Sequence, residues 1–147
     1  MEFNFIIRTI KLSDVETIIE LEEKYLGESI GLEMLKNEMN NKYAHFLVGT
    51  LNEKIIGYLG AWLIEGIAEV INFVIDKEYW HQGYGTALWQ AFETLARNKE
   101  CNKIFLEVKE SNTRAIKFYE KHNLVRFSMR YQYYHDDSNA IVMMKVI

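Results

Sequence analysis

Glu107, Asn112 and Tyr119 follow a glycine pair, Gly83 and Gly85, in the second half of a 147-residue chain. A carboxylate, acting directly or through a water, can take a proton from an amine, and a phenol can give one to a leaving group. An α-ammonium has a pKa of about 8 and must lose its proton before it attacks a thioester, whereas a phenol holds its proton to about pH 10. Glu107 fits the first role and Tyr119 the second. On a helix, Asn112 and Tyr119 would be nearly eclipsed after two turns and could point along one ligand. Each residue alone also has an ordinary structural explanation: a solvated strand end, a helix N-cap and a core tyrosine. Their joint spacing is what suggests cofactor-using group transfer.

The glycine pair sits in Trp80-His81-Gln82-Gly83-Tyr84-Gly85-Thr86, directly after the apolar segment 71–76. Glycines there let the backbone approach an anion, and the first amides of a following helix have no helical partner and carry the positive end of its dipole. A diphosphate would fit. No Gly-Lys-Ser/Thr follows, so this is not a Walker loop. The third glycine and a following parallel βαβ pattern are also missing, which argues against a dinucleotide fingerprint.

The elements that must position these residues follow from periodicity. Residues 3–10 read as a strand. Ser13 with Glu16 forms a capping box before a helix carrying Val15, Ile18, Ile19 and Leu21, and Gly27 stops it. Residues 31–39 form a second short helix, and 43–50, 54–64 and 68–76 form three consecutive antiparallel strands. From Thr86 the period lengthens: Ala87, Leu88, Ala91, Phe92, Leu95 and Ala96 make one apolar stripe, with Glu93, Arg97 and Lys99 facing out. A strand at 103–108, a helix at 112–122 and closing strands at 124–134 and 140–147 complete the order. The result is mixed α/β, one sheet with helices on its faces.

At 147 residues and 49% hydrophobic content, the chain suits one domain spanning 1–147. A net charge of −4 and a pI of about 5.6 disfavour nucleic acid and anionic lipid as partners and suit a basic one. In the apolar stretch 55–75, Glu65 and Glu69 would each cost roughly 3 kcal/mol in a bilayer, so two strands explain it better than a membrane span. The N-terminal residues lack the features of a signal peptide. The single cysteine, Cys101, excludes an internal disulfide and fits a structural thiol in a reducing cytoplasm. The histidines His45, His81, His122 and His135 have no metal-ligand spacing, and no metal is expected.

Asn-Phe-Val-Ile-Asp at 72–76, then Tyr79 and His-Gln-Gly-Tyr-Gly-Thr-Ala-Leu at 81–88, resemble the acetyl-CoA signature of the GNAT superfamily of N-acetyltransferases. The run Leu106-Glu107-Val108, Ser111-Asn112, Ala115-Ile116 and Tyr119-Glu120 resembles its RimI-like branch, the ribosomal-protein-alanine N-acetyltransferases. Gly57 to Trp62, Arg130, Tyr133, Tyr134 and the segment 140–143 extend the similarity. The resemblance implies the GNAT fold, a mostly antiparallel central sheet of six to seven strands flanked by about four helices. It implies acetyl-CoA as cosubstrate, with Phe73, Val74 and Ile75 along pantetheine and His81, Gln82, Gly83, Tyr84, Gly85 and Thr86 around the diphosphate. Asn112 would hold the cofactor by hydrogen bonds, and a strand N–H near Phe73 or Val74 would polarise the thioester carbonyl. The acceptor implied is a protein N-terminal α-amine, that of a small-subunit ribosomal protein. A small-molecule amine or a lysine is the alternative, and a non-catalytic acetyl-CoA-binding module another.

Several positions depart from the family. Trp80 stands where Gln or Arg is usual, which shifts diphosphate binding toward main-chain amides, His81 and Gln82. A Pro-Trp pair is absent near 29–32, an Asp-Glu pair near Gly66-Ile67, and Asn123-Leu124 replaces Gly-Phe. Acceptor choice is expected to lie with the loop after the first helix, the turn between Trp62 and Ala68, and Tyr131-Gln132-Tyr133-Tyr134, which is either a peptide grip or a packed hairpin.

Overall fold

Alternating burial along the middle of the chain makes neighbouring strands, because every second side chain must find one face of a sheet or the other. In the computed structural model, which describes residues 4–27 and 29–147, these strands are β2 (Ala44–Leu51), β3 (Lys54–Ile64) and β4 (Ile67–Ile75). β1 (Phe5–Thr9) extends one side, and β5 (Lys103–Lys109), β6 (Val125–Arg130) and β7 (Ala140–Val146) extend the other. Phe3, expected to open the first strand, lies outside the described residues. The described strands form one seven-stranded sheet in the order β1-β2-β3-β4-β5-β7-β6, antiparallel at every step except β4 to β5. Helices α1 (Val15–Leu26), α2 (Leu32–Glu38), α3 (Tyr84–Asn98) and α4 (Thr113–Lys121) flank it. This is the mixed, mostly antiparallel α/β architecture expected.

Each face of the sheet has its own core. Leu88, Trp89 and Phe92 of α3 and Ile116 of α4 pack on Leu59, Ile104, Leu106 and Val108. On the other face, Val15, Ile18 and Leu21 of α1 and Leu35 of α2 pack on Phe46, Val48, Tyr58 and Val74. Cys101 is a free, buried thiol at the entrance to β5.

The parallel pairing of β4 with β5 corrects one expectation: a βαβ unit does follow the glycine turn, with α3 as the crossover. Its signature is weak in the sequence because β4 is also the last strand of an antiparallel meander. The β4–β5 ladder is short, consisting of Ile67↔Lys103, Ala68↔Ile104 and Glu69↔Phe105. Just beyond it the β3–β4 register shifts, with Ala61 opposite Val70 but Gly60 opposite Asn72, so Ile71 is an extra residue. A bulge of this kind bends the strand that carries it. β4 and β5 therefore separate toward their C-terminal ends.

Other local expectations also change. No Ser13–Glu16 box forms, because Ser13 lies inside a 3-10 turn at Leu12–Asp14. Asp14 instead accepts the Lys11 N–H at 2.7 Å and takes both Arg8 guanidinium nitrogens, at 2.7 and 2.9 Å. Glu93 does not face out: it is 6% exposed and accepts from Trp89 Nε1 at 2.9 Å and Lys145 Nζ at 2.7 Å. The lysine comes from β7, a partner that helix periodicity cannot foresee. The strand expected through Tyr134 ends at Arg130, and residues 131–139 form turns.

Asp14→Ala is expected to cost about 2 kcal/mol in urea unfolding at neutral pH, because it leaves a partly buried guanidinium and an amide without their acceptor. The Arg8 hydrogen bonds hold the Asp14 carboxyl below its usual pKa. A lowered folded-state pKa stabilises above the unfolded value and is lost as pH falls through the folded one, so the wild-type advantage should shrink below roughly pH 4. A constant difference down to pH 2 would contradict this assignment.

Candidate active site

Where β4 leaves β5, part of its backbone loses a neighbour. Asp76 N–H bonds to Ile56 C=O on β3 at 2.7 Å. Backbone groups alternate sides along a strand, so Val74 also faces β3 while Phe73 and Ile75 turn N–H and C=O toward the opening. The Ile75 carbonyl bears this out: it accepts from the Trp80 indole, not from β3, at 2.8 Å. Of the two strand amides expected to polarise a carbonyl, the alternation selects Phe73.

The cradle lies at the end of this opening. Gly83 is the α3 N-cap at φ 88°, and the first α3 hydrogen bond runs from Ala87 N–H to Gly83 C=O. The amides of Tyr84, Gly85 and Thr86 therefore have no helical acceptor. A methyl group on Gly83 would meet nothing within 4 Å, so its positive φ is what requires glycine there. On Gly85 a methyl group would touch Phe118 and Ile75 at ordinary contact distance, so the protein's own packing leaves room for a side chain. Glycine there leaves that space beside the amides to an approaching group. This geometry fits a diphosphate. The neighbouring side chains have mostly structural jobs. The Tyr84 ring packs on Phe5 at 4.7 Å, Gln82 Nε2 donates to Glu78 C=O at 3.3 Å, and Thr86 Oγ1 is 3.4 Å from His122 Nε2. His81 is exposed at φ 61°.

Between the cradle and β5 stands an aromatic cluster. Phe73 packs on Trp89 at 5.9 Å and Phe118 at 5.4 Å, and Tyr119 lies 5.5 Å from Trp89 and 6.5 Å from Phe73, centroid to centroid. Tyr119 thus borders the opening on the α3/α4 face. Burial raises its phenol above the usual pKa, while the nearby Arg114 guanidinium pulls it down. Asn112 caps α4, its Oδ1 accepting the Ala115 N–H at 3.2 Å, and is itself outside the helix. It therefore does not share a helical row with Tyr119, and its side-chain nitrogen takes no part in the cap.

Glu107 approaches from the other face. Leu106 and Val108 on either side of it pack under α3 and α4, so the alternation of β5 turns Glu107 away from Tyr119's face. It is two residues past the last β4–β5 pair and lines a cavity of about 180 Å³ with Glu69, Phe105 and Arg130. Arg130 Nε is 3.2 Å from its Oε1, and a hydrogen bond to the carboxylate raises the Tyr133 phenol. Of the aromatic tail, Tyr133 lies beside this carboxylate, whereas Tyr131 is 76% exposed. The carboxylate and the phenol come from opposite faces and meet the opening from either side. Among the described residues no group of side chains is arranged to hold a metal ion, and no helix is long and apolar enough to cross a membrane.

Sequence reading missed three residues that the structure brings close to the opening or to the strand beside it. Glu69 gave no signal because its place opposite Phe105 depends on the parallel pairing. Glu22 of α1 is fully buried, accepts from Tyr58 and Asn72, and so ties the residue before Phe73 to α1; burial raises its pKa. A buried glutamate on a helix that is polar on its other face looks like any surface glutamate. Arg114, the third, stacks on Trp80 with its guanidinium 3.6 Å from the ring centroid.

A sequence profile described as the acetyltransferase (GNAT) family matches residues 14–124. A Bacillus subtilis protein provisionally named a [ribosomal protein bS18]-alanine N-acetyltransferase is 28% identical over 141 residues, covering 95% of this chain and 93% of that one. The crystal structure of Ard1 from Thermoplasma volcanium superposes with a TM-score of 0.91 at 27% identity, covering 97% of each chain. The PaiA N-acetyltransferase of Thermoplasma acidophilum, solved with coenzyme A, has the same fold at a TM-score of 0.82 and 22% identity, over 98% of this chain and 99% of that one.

Proposed function

The chain belongs to the acetyltransferase (GNAT) family, and from that premise we propose that it transfers the acetyl group of acetyl-CoA to the N-terminal α-amine of a protein. The observation that carries this reading is the opening between β4 and β5, with Glu107 on one side and Tyr119 on the other. Acetyl-CoA supplies an acyl thioester. The free amides of Tyr84, Gly85 and Thr86 bind its diphosphate, and the turned-out groups of Phe73 and Ile75 align the pantetheine arm, with Asn112 assisting from the start of α4. His81 and Gln82 border the diphosphate, and Val74, packed in the α1/α2 core, holds the strand in place.

Glu107 takes a proton from the entering ammonium, directly or through a water, and so makes the amine nucleophilic. The Phe73 N–H donates to the thioester oxygen as negative charge builds there. Tyr119, uncharged because burial holds its proton, donates to the departing sulfur. Both groups act on one ternary complex, so no covalent enzyme intermediate is needed.

The acceptor follows from chemistry. The B. subtilis relative is named for acetylating an alanine, and alanine in a protein has only an α-amine to offer. With Glu69 and Glu107 against Arg130, the cavity lining keeps an excess of negative charge suited to an ammonium, and the net charge of −4 suits a basic protein such as a small-subunit ribosomal protein. The free, buried thiol of Cys101 fits a reducing compartment, the cytoplasm.

The test is CoA release measured with three acceptor classes: peptides with free N-terminal alanine or serine, lysine-containing peptides with blocked N-termini, and polyamines. Turnover with the free N-termini is expected, abolished by blocking the α-amine. Turnover confined to lysine or polyamine would replace the acceptor, and cofactor binding without turnover would leave a non-catalytic acetyl-CoA module.

A further inference from the structure

Two cations converge on one indole beside the cradle. The Arg114 guanidinium, from the first turn of α4, lies 3.6 Å from the Trp80 ring centroid, and Lys77 Nζ lies 5.8 Å from it. The indole is itself anchored, its Nε1 donating to the Ile75 carbonyl at 2.8 Å. The stack therefore spans the cleft from the segment before α3 to the start of α4. Neither cation has a carboxylate ion-pair partner among the described residues, although acidic side chains outnumber basic ones in this chain, 21 to 17. Two like charges held near one ring repel each other. Partial burial also disfavours the charged form of Arg114. An anion in the cleft would relieve both penalties.

The amides of Tyr84, Gly85 and Thr86 lie four to six residues beyond this indole and offer donors to the same anion. Arg114 also acts electrostatically on Tyr119. It thus reaches the Trp80 ring from the helix that also carries the phenol, along the course that the proposed function gives to the cofactor.

We propose that Arg114 and Lys77, held on the Trp80 ring, are side-chain ligands of the diphosphate of coenzyme A, completing with fixed cations a site whose other donors are main-chain amides. This rests on the acetyl-CoA reading above. Trp80 thereby acts as a platform, and the anion is met by guanidinium and ammonium groups placed from two different elements.

Calorimetry with CoA, ADP and pantetheine on wild type, Arg114→Ala, Lys77→Ala and Arg114→Lys tests the assignment. Arg114→Ala is expected to weaken CoA and ADP about tenfold or more, as loss of a charge-assisted contact should, and to leave pantetheine unchanged. Its plot of log affinity against log salt should be shallower than that of wild type. Lys77→Ala should give a smaller loss of the same kind, and Arg114→Lys, which keeps the charge without the planar stack, an intermediate one. Equal CoA affinity in wild type and Arg114→Ala, with both proteins folded by circular dichroism, overturns this inference and leaves the acetyl-CoA reading standing. An equal loss for pantetheine also overturns it, since pantetheine has no phosphate. Absence of CoA binding by the wild type removes both.

Discussion

Glu107→Gln is expected to lower kcat at neutral pH by about 10²–10³-fold, within the range that a positioned general base contributes, with little change in acetyl-CoA affinity. Gln keeps the size and the acceptor oxygen of the side chain but cannot take a proton. Structural damage should be small, because Gln still offers an oxygen to Arg130, whose own side chain is 57% exposed. The defect should also depend on pH. An α-amine with a pKa of about 8 arrives already neutral in alkaline buffer, so the variant should recover part of its loss between roughly pH 7 and 9. A variant with wild-type kcat at pH 7 would remove Glu107 from the proton path and leave Glu69, on the same cavity wall, as the carboxylate to test.

Tyr119→Phe should lower kcat at least about tenfold while leaving the Kd for CoA nearly unchanged, the pattern of a group used only as the sulfur departs. Phenylalanine preserves the ring contacts with Trp89, Phe73 and Phe118, so the fold should hold. The phenol's pKa is raised by burial, so it stays protonated through neutral pH. The wild-type kcat profile should then show no alkaline decline assignable to this group below about pH 10. A thiolate is a weaker base than a phenolate, so in the proposed step the phenol would serve chiefly as a hydrogen-bond donor to the leaving sulfur. A tenfold loss in CoA affinity with unchanged kcat would make Tyr119 a binding residue instead.

Most of the elements were legible because they are local. Periodicity located α3 and the β2–β4 meander, and the glycine turn placed unpartnered amides at the start of α3. The capping motif misled, because Asp14 found a better partner in Arg8, on a neighbouring strand. The outward assignment of Glu93 failed for the same reason: Lys145 reaches it from β7, across 52 positions in sequence. Asn112 was placed correctly at the head of α4, yet its N-cap geometry separates it from the helical row that would have aligned it with Tyr119.

Residue types and spacing alone determined that a carboxylate and a phenol follow a glycine turn, the order expected of a group-transfer site. They also settled the α/β class, since hydrophobic period and turn chemistry act within a few residues. Only the tertiary structure decided that β4 and β5 part after three pairs, that Glu107 and Tyr119 meet the opening from opposite faces, and that Arg114 lies on Trp80. Those features depend on which strands become neighbours and where a bulge breaks their register. Pairing is chosen by the packing of both faces at once, a contest among distant segments that no local pattern encodes.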